Sequence, residues 1–228
     1  MNAKNEIMKK ILVFAPHPDD EILGCGGTII KNIAKGNDVY VCIATRGTLP
    51  LFDEKQVETV RHEALECHKS LGIKKTFFLD FPAVMMEECH RYEINGQVMD
   101  VVKEVQPDVV YIPHYGDMQR DHMILAEACM VALRPKYFPQ PRVLGYETMS
   151  ETAWNTPNIQ NEFIPNVFED ISDYLVRKLE ALSYFKSQVS DYPDARSLEA
   201  IEALAKYRGA NMHRKACEAF MLIREVID

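Results

Sequence analysis

At 228 residues, 47% hydrophobic and 26% charged, the chain can bury a large core without disulfides or a structural metal, and it is read as one domain over 1–228. Thirty-four acids against 26 bases leave a net charge of −8 with no basic block, which argues against a nucleic-acid partner, since phosphate-backbone binding depends on Lys and Arg. Six cysteines without a C-x-x-C pair read as reduced, packed thiols, and the polar start MNAKNEIMKK precedes no apolar run long enough for a signal or a membrane span, so a cytoplasmic protein with no membrane partner is expected.

In chain order, ILVFAP (11–16) is a short, fully apolar run that suits a central parallel strand. Apolar residues at helical spacing follow from about 22 to 35, ending at Gly36. DVYVCIAT (38–45) reads as a second strand, and 54–72 as a helix closed by Gly72. TFFLDF (76–81) is a third strand; a helix near 97–106 ends before Pro107, and DVVYIPH (108–114) is a fourth strand. A helix near 122–133 leads to a fifth strand, RVLGYE (142–147). The stretch 148–168, with Pro157, Pro165 and several Asn, reads as a functional loop or lid. Helices near 171–187 and 196–208 and the apolar run 219–227 close the chain. This alternation predicts a Rossmann-like α/β three-layer sandwich, a mostly parallel sheet with helices on both faces.

Ligand sites in such sheets lie beyond the carboxyl ends of the strands. APHPDDE follows the first strand, TRGTLP the second, DFPAV the third and PHYGDMQRDH the fourth, so the chemically loaded segments share one edge. A turn leaving a strand can aim His17 and Asp20 at one point, and His122 is delivered after the fourth strand. Two imidazoles and a carboxylate with an open position form a donor set for catalytic zinc, and the same set holds Fe(II) or another divalent ion. Asp19, beside a ligand, can accept a proton from water on the metal, while Asp121 or Asp117 can orient a ligand imidazole through its second nitrogen. The plain alternative for this segment is a capped turn, with Asp19 or Asp20 as the helix N-cap. GCGG (24–27) lacks the G-x-G-x-x-G spacing and sits behind three acids, so close helix–sheet packing explains it better than a dinucleotide.

APHPDDEILGCGGTI resembles the signature of the PIG-L/LmbE-like metal-dependent N-deacetylases, and TRG (45–47), RHEALECHKSLG (61–72), DMQRDH (117–122), KLEALSYFKSQ (178–188) and EAF (218–220) follow in that family's order. The resemblance implies a metal on His17, Asp20 and His122, Asp19 as general base, and Arg61 as a substrate contact, with Arg46 a second candidate. It implies removal of the N-acetyl group from an N-acetylglucosamine-type sugar or conjugate, a small-molecule amino-sugar substrate. Many members carry a further histidine in the second motif where this chain reads Gln119-Arg120-Asp121-His122. His114 is a substitute for it, with Gln119 as a hydrogen-bond donor. YETMSETAWN (146–155) resembles a branch found in surface-polysaccharide and sugar-nucleotide pathways, and Trp154, the single tryptophan, offers a stacking platform for a sugar face. His62, His68, His90 and His213 read as surface or core residues. Three rivals stay open: a metal-independent sugar-nucleotide-binding or transferase protein, a hydrolase of another amide, and, ranked last because Asp19 and the candidate ligands are all retained, a non-catalytic interaction protein that keeps the fold. Homo-oligomerisation is also left open.

Overall fold

A computed structural model describes residues 8–136 and 139–227; residues 1–7, most of the polar start read above, lie outside the described residues. Strand β1 (Lys10–Ala15) leads into helix α1 (Asp20–Ala34), β2 (Asp38–Arg46) into α2 (Glu54–Leu71), and β3 (Lys75–Pro82) into a short 3-10 turn (Met86–Glu88) and α3 (Arg91–Val105). β4 (Val109–Pro113), α4 (Arg120–Ala132) and β5 (Arg142–Tyr146) follow, then the one-turn α5 (Met149–Thr152) and β6 (Val167–Asp170). Helices α6 (Leu175–Leu182) and α7 (Leu198–Asn211) precede β7 (Cys217–Arg224).

The sheet order is β3-β2-β1-β4-β5-β7-β6, parallel from β3 to β5, with β7 antiparallel to both β5 and β6. Side chains alternate across the pleat and so divide the core in two. Ile11, Val13, Val41 and Ile43 face α1, α2 and α6, whereas Leu12, Phe14, Cys42 and Ile112 face α3 and α4. The three layers expected from the sequence are present. Local chemistry sets the helix ends: Asp53 and Gln56 form a reciprocal capping box at the start of α2, and Gly72 closes it at φ +85°.

The GCGG segment is explained by packing. A Cβ on Gly24 would lie 2.2 Å from the Tyr146 ring, and one on Gly27 2.8 Å from Ile171, so α1 sits too close to its neighbours for larger residues. A buried ion pair locks the same helix from behind. Lys178 Nζ lies 2.7 Å from Glu218 Oε1 and donates to the Leu23 carbonyl, while the Glu218 carboxylate accepts from the amides of Gly27 and Thr28.

Several boundaries differ from expectation. α3 begins at Arg91, a turn and a half before 97, because the buried stripe of Ile94, Val98, Val101 and Val105 keeps a helical spacing that runs across Gly96. The 171–187 helix is shorter, as α6 ends at Leu182 and tight turns carry the chain on to Gln188. The stretch 148–168 is not a plain loop: it holds α5 and the start of β6, whose four residues pair with β7.

Candidate active site

β1 and β4 are parallel neighbours (Ile11 opposite Val109), and strand order reverses between them, so their carboxyl ends lie side by side at the switch point. The turn after β1 carries His17 and Asp20; the first turn of α4, reached from β4, carries His122. One ligand atom from each of the three lies within 4.8 Å of the others. Asp20 Oδ2 is 3.2 Å from His17 Nδ1 and 3.4 Å from His122 Nε2.

The outer nitrogens are held by carboxylates. His17 Nε2 donates to Asp121 Oδ2 at 2.9 Å, and His122 Nδ1 donates to Asp117 Oδ2 at 2.8 Å. Asp121 is itself fixed by the amides of Val84 and Met86, and Asp117 by the Thr152 hydroxyl. This leaves His17 Nδ1 and His122 Nε2 turned toward Asp20, the orientation that carboxylate–imidazole pairs impose on metal ligands.

Asp20 Oδ1 and His122 Nε2 are buried and have no hydrogen-bond partner. An unsatisfied buried polar atom costs about 1–3 kcal/mol, so two of them within one cluster call for a third body. The donor set fits zinc or another borderline divalent cation. Burial opposes charge on His122, yet Asp20 and Asp117 raise its pKa to about 10. Burial opposes charge on His17 as well, and Asp121 and Asp20 raise its pKa to about 8. Burial also works against the ionised Asp20, but His122 and His17 hold it well below the usual carboxylate range. Negative charge accumulated in the fold thus draws positive charge to this spot.

Asp19 occupies the N-cap position of α1, but its side chain accepts no helix amide, so capping does not account for it. It is a non-glycine residue at φ +115°, a conformation costing about 1–3 kcal/mol. Its Oδ1 is buried without a partner, and its Oδ2 lies 3.5 Å from Arg196 Nη1. Burial pushes the carboxyl up to about 8, against the pull of Arg196.

A cleft of about 590 Å³ opens beside His17. Its wall comes chiefly from the segment between β2 and α2 and from α2 itself, including Arg46, Phe52, Lys55 and Arg61; Ala83, Val84, Gln119, Glu151, Gln188 and Arg196 complete it. Arg46 pairs with Glu54, and Arg61 pairs with Asp80 while stacking 4.3 Å over Phe78. Glu151 and Arg196 escaped the sequence reading, since they arrive from α5 and from the turn before α7 with no local pattern to flag them. Burial raises the Glu151 carboxyl.

Two expected residues lie elsewhere. His114 Nε2 donates to the Asn161 carbonyl at 3.0 Å and its ring meets Phe163 edge-on, outside the residues lining the cleft. Trp154 is 61% exposed and also outside the cleft, because the turn leaving α5 points it to solvent. Within 148–168 only Glu151 lines the cleft, while 155–163 border a separate hollow with α7, so that stretch does not form its lid.

Comparison with known proteins adds three findings. The model of the PIG-L family, described as GlcNAc-PI de-N-acetylase, matches residues 12–133. The chain is 31% identical to the uncharacterized deacetylase YaiS of Escherichia coli (strain K12), covering 78% of this chain and 91% of that protein, and 30% identical to the diacetylchitobiose deacetylase of Thermococcus kodakarensis, covering 79% and 70%. The crystal structure of the conserved protein TT1542 from Thermus thermophilus superposes with a TM-score of 0.78 at 24% identity, over 97% of both chains.

Proposed function

The chain belongs to the PIG-L, GlcNAc-PI de-N-acetylase, family, and from that premise we propose that it hydrolyses the acetamide of an N-acetylglucosamine-type sugar or sugar conjugate, with a divalent cation, zinc first among the candidates, on His17, Asp20 and His122. The observation that carries this reading is the cluster of His17, Asp20 and His122, whose ligand atoms lie within 4.8 Å of one another beside the cleft that His17 lines, with Asp20 Oδ1 and His122 Nε2 buried and unpartnered. When bound, such an ion supplies Lewis acidity toward a carbonyl oxygen and lowers the pKa of water.

The protein's own residues divide the remaining work. Asp19 takes the proton of the attacking water at Oδ1 and delivers it to the departing nitrogen, so that C–N cleavage yields acetate and a free amine. Arg196 holds the other oxygen of that carboxylate. Asp121 and Asp117 keep the outer imidazole protons fixed, so His17 Nδ1 and His122 Nε2 stay available as donors. Gln119, in the cleft and at the start of α4, offers its carboxamide N–H to the developing oxyanion in place of the histidine that many relatives carry. Arg61 and Arg46 hold the remainder of the sugar or its substituent. The reading treats 1–228 as one catalytic domain, met by a small substrate in the cytoplasm; buried free thiols support that compartment, and among the described residues no helix is long and apolar enough to cross a membrane.

The test is acetate release from a panel of N-acetylated sugars, their conjugates and sugar nucleotides, with the protein loaded with zinc or iron(II) in turn. Release that stops on chelation supports the proposal. No acetate from any member of the panel, or turnover indifferent to chelator, overturns it.

A further inference from the structure

Glu21, the third acid of the Asp19-Asp20-Glu21 run, has no part in the reaction above, and neither does His68. Both are buried, Glu21 completely. The two oxygens of Glu21 divide their contacts: Oε1 lies 2.9 Å from His68 Nε2, and Oε2 accepts the Asp19 backbone N–H at 3.2 Å. His68, from the last turn of α2, places its other ring nitrogen 2.8 Å from the Thr76 hydroxyl on β3. A continuous hydrogen-bonded chain therefore runs from β3 through α2 to the backbone of Asp19, which holds a left-handed conformation. The carbonyl of Asp19 is meanwhile fixed by the amides of Ile22 and Leu23, each at 2.9 Å.

A glycine would relieve the backbone at position 19, but it would remove the carboxylate. With a side chain required, the left-handed conformation persists only where its surroundings over-determine it. A carboxylate is costly to bury for packing alone, and Glu21 spends one of its two oxygens on the Asp19 amide. We infer that Glu21 and His68 are positioning residues that clamp the Asp19 backbone in its left-handed conformation and so aim its carboxylate at the reaction centre. The inference rests on the proposed function only in taking Asp19 as the proton carrier.

The experiment compares wild type with His68→Leu, which fills the space without hydrogen bonds, and His68→Gln, which can still donate to Glu21. Crystal structures give the Asp19 φ; metal analysis and thermal unfolding are run on the same preparations. In His68→Leu, Asp19 leaves the positive-φ range and kcat falls about tenfold or more, the scale of a misplaced reacting group, with KM, bound metal and folded fraction unchanged. His68→Gln keeps the wild-type φ and most of kcat. Should His68→Leu fail to fold, His68→Asn, too short to reach Glu21, is held to the same criteria. An unchanged Asp19 φ with unchanged kcat overturns the inference, as does a loss of kcat that merely tracks lost metal or lost folded protein. If wild type releases no acetate at all, the functional proposal falls, and the crystallographic comparison still decides the clamp.

Discussion

Asp19→Asn keeps the size of the side chain and removes its capacity to take a proton. Turnover is expected to fall by about 10²–10⁴-fold, the usual worth of general acid–base catalysis, with metal content unchanged by elemental analysis. His122→Ala should instead abolish metal binding along with activity. Between these two outcomes lies the separation of proton carrier from ligand. Arg196→Ala leaves Asp19 Oδ2 without its guanidinium, so kcat is expected to drop while KM moves little, read from initial rates. His17 and Asp20 were legible in the sequence because they follow directly on β1, and His122 because it opens the helix that β4 leads into, both at the carboxyl edge of the sheet. Arg196 and Glu151 were not, since their approach to Asp19 and the cleft depends on where two long connections come to rest. His114 and Trp154 differ again: chemical aptness was plain in the sequence, but the fold sets both outside the cleft, one ring against a backbone carbonyl and the other in solvent.

The central parallel strands could be read directly, because two-sided burial writes them as apolar runs such as Ile11–Ala15 and Val109–Pro113; β3, at the sheet edge and only half-buried, was read from its aromatic run instead. β6 could not: it has four half-buried residues, two of them acidic, and only pairing with β7 makes it a strand. The tie between α6, β7 and α1 was equally hidden, since Lys178 and Glu218 look like surface charges until their burial is seen. Removing one partner of such a pair strands the other in the core, and Glu218→Ala is expected to lower stability by about 3–5 kcal/mol in denaturant unfolding. The double variant Lys178→Met/Glu218→Leu should recover part of that loss, because apolar groups of similar volume often replace a buried pair at little cost.

For the molecule as a whole, the proposed ion would be linked to the fold. Binding to the native state alone stabilises it by mass action, so added zinc should raise the thermal midpoint of wild type and leave His122→Ala unmoved. The imidazoles must shed protons to act as ligands, so apparent metal affinity should weaken as pH falls, checked by titration calorimetry at several pH values. Overall architecture, parallel sheet and the place of the candidate site were readable from alternation and from the edge rule; the shape of the cleft was not, since its walls come from residues of the segment after β2, α2 and distant connections together. That arrangement has an evolutionary reading. The candidate ligands issue from the end of β1 with the start of α1 and from α4, while most of the wall belongs to 45–61, a stretch that contributes none of them. On the proposed function, selectivity can therefore drift by exchange of one short segment, with the proposed hydrolytic residues inherited intact.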